Sequence, residues 1–427
     1  MNKSNVVFID GCRTPFLRSG TNYLNLMAYE LGRHAIKGLL LKTGLNAKDV
    51  DQVIMGIVVA NAKTSNVARE AALTAGIHSK AHCQTVTQAC ISANRAICNG
   101  INELLLGNAD VVIAGGVENI SDTPITFPKK MRTKLFAAQK IKSPIDGLKF
   151  LFSLRPSDFL PDKPAVAEFT TNRTMGEDCD IMVAKYGVTR KEQDNFAARS
   201  HQLASKAQES GFFDDEIHSI SLPNNFKEIA KDNGIRGNTT IEKISKLRPA
   251  FDKKYGSLTA ANSSFLTDGG AAVLLTTEKK AIELNLKPKA RIIDYVFTGQ
   301  DVDEELLLGP VYAISEILKK TGLSISDIDV FELHEAFAGQ VLAVLKCLTS
   351  DFFAKEKLNR GCAVGEIPLE KLNLWGGSLS IGHPFGATGA RLVTTAANRL
   401  IKENGKYALI AACAAGAHGH AIIIEKY

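Results

Sequence analysis

The segment Lys42-Thr-Gly-Leu-Asn-Ala-Lys-Asp-Val-Asp51 recurs later in the chain as Lys320-Thr-Gly-Leu-Ser-Ile-Ser-Asp-Ile-Asp329. Six of the ten positions are identical. Each copy follows a stretch with helical periodicity and precedes an apolar stretch typical of a buried strand. The repeat therefore indicates two similar units in which a helix leads into a strand.

A second, looser pair of segments occurs in the same order. Residues 89–107 with the apolar stretch 109–116 correspond to residues 386–405 with the stretch 406–413. Both pairs have the pattern of a helix, a glycine turn and a buried strand. Two matches in one order favour a duplicated α/β half over a chance match of a Thr-Gly turn.

Residues 121–248 differ from the rest because they carry turn clusters, charge and helical fragments without strand alternation. We interpret them as an inserted lobe. The N-terminal half then comprises residues 1–120 and 249–278, and the C-terminal half comprises residues 279–427. Within the lobe, Thr189 and Glu192 predict a capping box at the start of a helix that runs to about Ser210.

The first part of the lobe, residues 129–155, is basic and partly apolar. It carries eight Lys or Arg residues, a single acid at Asp146, and the apolar run Leu148-Lys-Phe-Leu-Phe-Ser-Leu154. Such a segment predicts contact with an anionic membrane surface or a partner subunit. An ordinary solvated face of the lobe is an equal alternative.

Composition is that of a globular protein without a membrane span. Of the 427 residues 45% are hydrophobic and 22% are charged, and no run of about 18 apolar residues occurs. The net charge of +6 argues against a nucleic-acid-binding protein and suits an anionic small molecule. The start of the chain has no signal-peptide pattern, and the eight cysteines include no Cys-x-x-Cys pair, so we expect a cytoplasmic protein with reduced thiols.

One histidine lies in a stretch of small and turn-forming residues, Asn373-Leu-Trp-Gly-Gly-Ser-Leu-Ser-Ile-Gly-His-Pro-Phe-Gly-Ala-Thr-Gly-Ala-Arg391. Its five glycines permit unusual backbone angles or close approaches around His383. A lone histidine is more often a buried core residue, but this frame favours a residue held for chemistry or a ligand.

Three further positions carry candidate chemistry. Cys90 lies where a strand gives way to a helix, and the positive end of the helix dipole predicts a lowered thiol pKa. His334 follows an apolar strand directly, and Cys413 ends another. A structural cysteine and a strand-end turn are the alternative interpretations. His418 and His420 next to Cys413 are too weak a signal for a metal site, so we expect none.

At these four places the chain resembles the thiolase family. The resemblance rests on the cysteine at a helix start, the His334-Glu-Ala-Phe337 turn, the loop from Gly382 to Arg391 and the final cysteine before a glycine loop, in that order. It covers essentially the whole chain and implies two αβα halves that form a five-layered αβαβα core. Lys246-Leu-Arg-Pro-Ala-Phe251, Leu306-Leu-Leu-Gly-Pro310 and histidine in place of the usual asparagine most resemble β-subunits of the fatty-acid oxidation trifunctional complex and their bacterial counterparts.

The resemblance implies a 3-ketoacyl-CoA thiolase that works in fatty-acid β-oxidation. Cys90 would be the nucleophile, His383 its base, and Cys413 the acid that protonates the departing acetyl-CoA enolate. His334 would hold a water at the enolate oxygen, and the amides of Cys90 and Ala415 would form a second oxyanion hole.

The same resemblance implies CoA as co-substrate and no permanently bound cofactor. It maps Arg236 to the adenine-phosphate end, Ala260 and Ser264 to the pantetheine, and Met175 and Phe337 to the pocket wall. It also implies a homodimer and a hetero-oligomer with an α-subunit that carries hydratase and 3-hydroxyacyl-CoA dehydrogenase activities.

Two alternatives remain beside this function: a biosynthetic acetoacetyl-CoA thiolase or condensing enzyme, and a non-catalytic acyl-CoA-binding scaffold. The second cysteine disfavours a condensing enzyme, and the complete set of four residues disfavours a scaffold. The chain departs from the family in its last loop, where Ala417 stands in place of a glycine. If this position has positive φ, the alanine costs on the order of 1 kcal/mol.

Overall fold

The computed structural model describes residues 6–162, 167–222 and 226–427. Its strands are β1 (Val6–Arg13), β2 (Leu17–Arg18), β3 (Gln52–Gly56), β4 (His82–Val86), β5 (Val111–Glu118), β6 (Ile220–Ser221), β7 (Glu228–Ile229), β8 (Thr267–Thr277), β9 (Ala290–Gly299), β10 (Val330–Leu333), β11 (Tyr407–Ala414) and β12 (His418–Lys426).

The α-helices are α1 (Ala28–Thr43), α2 (Val67–Thr74), α3 (Ser92–Leu105), α4 (Lys129–Ala138), α5 (Pro144–Ser153), α6 (Met175–Lys185), α7 (Arg190–Glu209), α8 (Ile241–Ile244), α9 (Glu278–Glu283), α10 (Gly309–Thr321), α11 (Ala338–Leu348), α12 (Asp351–Lys357), α13 (Ser378–Ile381) and α14 (Thr388–Lys402). Among the described residues, no helix is both long enough and apolar enough to cross a bilayer.

The strands of the two halves follow the same order. In the N-terminal half the order is β4-β3-β5-β8-β1, and in the C-terminal half it is β10-β11-β12-β9. The corresponding pairs have the same direction, since β3 with β5 and β10 with β11 are parallel, whereas β5 with β8 and β11 with β12 are antiparallel. The duplication predicted from the repeated segment is therefore present in the topology.

Among the residues that the structure describes, the C-terminal half has no full counterpart of β4. In its place Leu372 forms a single parallel bridge with Phe331 of β10. The loop that carries His383 follows this bridge, just as the loop that carries Cys90 follows β4. The two loops thus occupy equivalent positions in the two halves.

Helices α3 and α14 form the middle layer. They contact each other, and α14 contacts β1, β5 and β8 of one half as well as β10, β11 and β12 of the other. All residues from Thr388 to Leu400 are buried, because strands cover α14 on both sides. With α1 and α2 on the outer face of one half and α10 and α11 on that of the other, the predicted five-layered α/β architecture is confirmed.

Close packing of α14 on α3 depends on a glycine. A Cβ at Gly389 would lie 2.1 Å from Asn94 Oδ1 on α3, well inside van der Waals contact. This close crossing brings the N-terminal ends of the two helices together, and with them the loops that precede the helices.

The segment from residue 121 to residue 248 contains α4–α8 and the small β6–β7 sheet. The capping box predicted in it is present, because Thr189 Oγ1 accepts from the Glu192 amide and the Glu192 carboxylate accepts from the Thr189 amide at 2.6 Å. Helix α7 then runs to Glu209. We propose the division predicted above, with this segment as an inserted lobe between the two parts of the N-terminal half.

Candidate active site

Cys90, His334 and His383 lie in loops at strand ends, and Cys413 lies in β11, one residue before the strand ends at Ala414. The ring centroids of His334 and His383 are 4.0 Å apart. The Cys90 thiol contacts the backbone N–H of Ala415, and burial together with the neighbouring Cys90 thiol raises the pKa of Cys413. The histidines thus form one pair and the cysteines another.

Cys90 is presented by a tight turn between β4 and α3. Ala89 has a φ of 45°, which is uncommon for a residue with a Cβ. Ser92 secures the turn, since its Oγ accepts from the Gln88 amide at 2.8 Å and donates to the Ala89 carbonyl at 2.7 Å. Strain of this kind persists only where the surroundings hold it, which is typical of functional sites.

The predicted low pKa of Cys90 is wrong. The residue as a whole is half-buried, but burial of its thiol raises the pKa to about 12. The N–H groups of Ala415 and of Cys90 itself contact the thiol and oppose this rise, but they do not outweigh it. The effect of desolvation on the pKa of Cys90 is therefore larger than that of the helix dipole. The resting residue is a neutral thiol, and it needs a base to become a nucleophile.

His383 is held at its backbone and at one ring nitrogen. Its amide donates to Thr267 Oγ1 at 3.0 Å, and its Nδ1 lies 2.6 Å from Thr388 Oγ1. Nε2 is buried and has no hydrogen-bond partner among the described residues. Burial, and to a lesser extent the charge of Arg391, lowers the pKa of His383 to about 3, so the ring is neutral.

His334 is also buried and neutral. Its Nδ1 lies 3.0 Å from Ser378 Oγ, and its Nε2 has no partner within the described part of the chain. Burial, His383 and Arg391 lower its pKa well below the usual range. Two neutral imidazoles in contact, each with an unused ring nitrogen, can together accept one proton and donate one hydrogen bond.

Glu335 anchors the loop of His383 to the strand end that carries His334. Its carboxylate accepts from Ser200 Oγ at 2.7 Å, Asn373 Nδ2 at 2.8 Å and the Leu379 amide at 3.2 Å. A Cβ at Gly377 would lie 2.2 Å from the Glu335 carboxyl carbon. Only glycine therefore leaves room for this carboxylate.

Glu118, at the end of β5, connects the two halves near Cys90. Its carboxylate accepts from the amides of Val58, Val59 and Gly386 at 2.9–3.1 Å. Burial raises its pKa to about 7, and its charge contributes to the raised pKa of Cys90. Sequence reasoning missed Glu118, although an acid at the end of an apolar strand is a usable signal.

The residues assigned to the pocket wall, Met175 and Phe337, belong to segments that pack against Phe251. The Phe337 ring is 5.9 Å from Phe251, and a Cβ at Gly176, next to Met175, would also touch Phe251. The Ser264 amide donates to the carbonyl of Ala336. Ala260 is exposed in the same segment, which reaches His383 through the bridge between His383 and Leu266.

Arg236 is exposed and lies in the electrostatic neighbourhood of Arg18. Burial and Arg236 lower the pKa of Arg18, whose guanidinium lies 4.0 Å from the centroid of the Phe265 ring. Two guanidinium groups placed together favour an anionic ligand. Sequence reasoning missed Arg18 because the two arginines are distant in the chain.

Ala417 has the positive φ that the family's glycine suggested, at 54°. It is fully buried, and the preceding Gly416 has a φ of 78°. Among the described residues, no group of three or more His, Cys, Asp or Glu side chains is placed to hold a metal ion.

The comparisons with known proteins agree with this geometry. The thiolase N-terminal domain matches residues 6–279, and the thiolase C-terminal domain matches residues 286–426. The chain belongs to the thiolase family and is an acyltransferase. The family predicted from the four motifs is therefore confirmed.

The relatives narrow the family further. The mitochondrial trifunctional enzyme subunit beta of Homo sapiens is 51% identical over 426 residues, which cover 100% of this chain and 89% of that protein. The probable 3-ketoacyl-CoA thiolase of Caenorhabditis elegans is 50% identical over 100% of this chain and 95% of that protein. The 3-ketoacyl-CoA thiolase of Yersinia pestis (strain Pestoides F) is 41% identical over 98% and 96%.

Solved structures show the same fold. Human mitochondrial 3-ketoacyl-CoA thiolase in complex with CoA aligns with a TM-score of 0.83 and 30% identity over 99% of this chain and 98% of that one. The Bacillus anthracis acetyl-CoA acetyltransferase aligns with a TM-score of 0.84 and 33% identity over 100% and 99%.

Proposed function

We propose that this protein cleaves 3-ketoacyl-CoA with CoA into acetyl-CoA and a shortened acyl-CoA. The observation that carries the proposal is the site itself: a neutral Cys90 thiol in contact with two backbone amides and close to the Cys413 thiol, and two neutral histidines with free Nε2 atoms, with Glu118 both acting on Cys90 and binding Gly386 in the loop of His383. The names of the relatives from C. elegans and Y. pestis support the same activity.

In the first half of the reaction, His383 Nε2 takes the proton of Cys90, and the sulfur attacks the 3-keto carbon. The C2–C3 bond breaks, and its electron pair leaves with acetyl-CoA as an enolate. His383 and His334 stabilise the enolate oxygen, and Cys413 protonates the carbon. Acetyl-CoA leaves, and the acyl chain stays on Cys90 as a thioester.

In the second half, the Cys413 thiolate left by the first half takes the proton of the CoA thiol, and the CoA sulfur attacks the acyl-cysteine. The N–H groups of Cys90 and Ala415 stabilise the oxyanion over this thioester, since both already contact the sulfur. The bond between the acyl carbon and the Cys90 sulfur breaks, the acyl group leaves on CoA, and Cys90 takes back the proton held by His383. We assign CoA to a pocket with walls at Met175 and Phe337.

We assign further residues to the parts of CoA that lie outside this pocket. Ala260 and Ser264 lie along the pantetheine, and Arg236 with Arg18 attracts the phosphates. A non-catalytic scaffold would need neither of the two cysteines.

Mass spectrometry tests the nucleophile. After incubation with a 3-ketoacyl-CoA and no free CoA, we expect the acyl mass on the peptide that contains Cys90, and none in Cys90→Ser. An active enzyme without an adduct at this cysteine would refute the assignment. A series of chain lengths, including acetoacetyl-CoA, separates the degradative enzyme from a biosynthetic acetoacetyl-CoA thiolase.

The basic segment of the lobe supports a second proposal, contact with an anionic membrane surface. Helices α4 and α5 expose several large apolar side chains, namely Phe136, Ile145, Leu148, Leu151 and Phe152. Three of the eight cations in residues 129–155 are less available to an anionic surface than the sequence suggested, because they form ion pairs. Arg132 pairs with Asp162, Lys134 with Asp158 and Lys149 with Asp146. The other five are exposed: the four lysines Lys129, Lys130, Lys140 and Lys142, and Arg155.

Liposome binding tests this surface. Charge reversal at these four lysines should weaken binding to anionic vesicles, as should raised salt, because exposed charges are screened over roughly 8 Å at physiological ionic strength. Turnover of a short soluble substrate should not change. The matched control reverses four exposed lysines elsewhere: Lys63, Lys80, Lys253 and Lys287. If neither raised salt nor charge reversal changes vesicle binding, this face contacts a partner subunit or solvent and not a membrane.

The name of the human relative supports a hetero-oligomer, because that protein is a subunit of a trifunctional enzyme. We assign to this chain a homodimeric core and an α-subunit with hydratase and 3-hydroxyacyl-CoA dehydrogenase activities. Light scattering with and without the α-subunit tests the homodimer and the hetero-oligomer. A monomer that does not bind the α-subunit would contradict both assignments. A cytoplasmic location stays a prediction, with the mitochondrion of the human relative as the alternative.

A further inference from the structure

The two histidines of the site have different polar partners at Nδ1, and these partners determine where each ring proton lies. A neutral imidazole carries one proton, so one ring nitrogen donates and the other accepts. The partner at Nδ1 therefore decides whether Nε2, which is buried without a partner among the described residues, is an acceptor or a donor.

At His383 the partner is a hydroxyl whose proton is already used. Thr388 Oγ1 donates to the Pro384 carbonyl at 3.0 Å, one turn earlier in the chain. Its oxygen can then only accept from the ring, so the proton of His383 lies on Nδ1, 2.6 Å away. Nε2 of His383 consequently has a free lone pair.

At His334 the partner is a hydroxyl whose oxygen already accepts. Arg391, which is fully buried, donates from Nη2 to Ser378 Oγ at 3.2 Å, and a guanidinium has no acceptor atom. His334 Nδ1 is the only other polar partner of Ser378 Oγ among the described residues, at 3.0 Å. The Ser378 proton therefore goes to Nδ1, and Nε2 of His334 carries the ring proton.

We infer that Thr388 and the pair of Ser378 and Arg391 are positioning residues that lock the two neighbouring histidines in opposite tautomers. His383 Nε2 is then ready to take the Cys90 proton, and His334 Nε2–H is ready to donate to the enolate oxygen, directly or through a water. The inference rests on the proposed thiolase reaction for these roles, whereas the tautomers are inferred from the other hydrogen-bond partners of Thr388 and Ser378.

Nitrogen-15 NMR of the substrate-free enzyme tests the tautomers without activity. Correlation of ring carbon protons with ring nitrogens distinguishes a protonated nitrogen from one with a lone pair, and His383→Asn and His334→Asn assign the signals. We expect an unprotonated Nε2 at His383 and a protonated Nε2 at His334. The same tautomer at both would overturn the inference, whether or not the enzyme is active. An inactive enzyme with opposite tautomers would instead contradict only the proposed function.

Two variants test the locking residues. Thr388→Val should lower kcat by roughly 100-fold or more, the usual contribution of a general base, with KM changed by less than about threefold, and Thr388→Ser should restore it. Ser378→Ala should lower kcat by about 100-fold through the lost donor at His334, and Ser378→Thr should recover part of the rate.

Thr394→Val is the matched control for Thr388→Val. Thr394 is a buried residue of the same helix, and its hydroxyl donates to the Ala390 carbonyl four residues earlier, with no hydrogen bond to a histidine among the described residues. We expect this variant to retain kcat and both nitrogen signals. A Thr388→Val enzyme that keeps its kcat and its His383 tautomer would refute the role of Thr388. If the variant does not fold, the spectrum of the unaltered enzyme decides.

Discussion

The neutral resting thiol leads to a quantitative prediction for the variant His383→Asn. An asparagine can still bond to Thr388 Oγ1, but it cannot take a proton from Cys90. Burial raises the pKa of Cys90 from 9.0 to about 12, so the thiol stays protonated at any pH well below 12. The higher pKa lowers the thiolate fraction at pH 7 roughly a thousandfold, which corresponds to about 4 kcal/mol in the free energy of ionisation.

Alkylation of Cys90 by iodoacetamide, followed by mass spectrometry, measures this effect. In His383→Asn the rate should rise about tenfold per pH unit from pH 7 to pH 10, because ionisation is incomplete throughout. With His383 present, the rate at pH 7 should be roughly 100-fold higher or more and should depend less on pH. His34→Asn is the control, since His34 also has a pKa lowered to about 4 by burial but lies on α1.

Two outcomes would refute this reasoning. A plateau of the variant's rate near pH 8.5 would mean that the helix dipole, and not burial, sets the pKa of Cys90. Equal rates at pH 7 with and without the imidazole would mean that His383 is not the base.

Three further predictions concern single substitutions. Gly377→Ala should lower the free energy of unfolding by roughly 1–3 kcal/mol in urea denaturation, because its Cβ would lie 2.2 Å from the Glu335 carboxyl carbon, whereas Gly361→Ala, with no atom within 4 Å, should change little. Cys413→Ala should still acylate Cys90 from acyl-CoA but should lose proton exchange at the α-carbon of acetyl-CoA in heavy water, and normal exchange would remove Cys413 from its role. Ala417→Gly should change stability by less than about 1 kcal/mol, because relief at a φ of 54° opposes the loss of a buried methyl group, and a loss above roughly 2 kcal/mol would contradict this balance.

Periodicity and repetition made the fold predictable. The repeated Lys-Thr-Gly-Leu segment marks equivalent helix ends, and Gly44 and Gly322 indeed end α1 and α10 with φ of 70° and 73°. A repeat does not reveal how far two copies have diverged, so the reduction of one strand to the bridge at Leu372 was not predictable. Helix α13 was missed as well, because four residues between glycines carry no periodic signal.

Residue types in the candidate site were predictable, but their environments were not. The helix start at Cys90 can be recognised in the sequence, whereas the burial that raises its pKa depends on what packs over it. Ser378 and Thr388 lie in the same glycine-rich stretch as His383, yet only the folded chain shows that Ser378 contacts His334 and Thr388 contacts His383. Arg18 and Glu118 became candidates for the same reason.

The burial of α14 between the two halves has a consequence for biosynthesis. The strands of the N-terminal half are complete at Thr277, but α14, which covers the part of their inner face that α3 leaves free, ends only at Lys402. At 5–20 residues per second, the intervening stretch of about 125 residues takes the ribosome roughly 6–25 s. During this time a nascent chain exposes an apolar sheet face, so we expect synthesis of this protein to depend on chaperones, and chains that stop before Thr388 to aggregate.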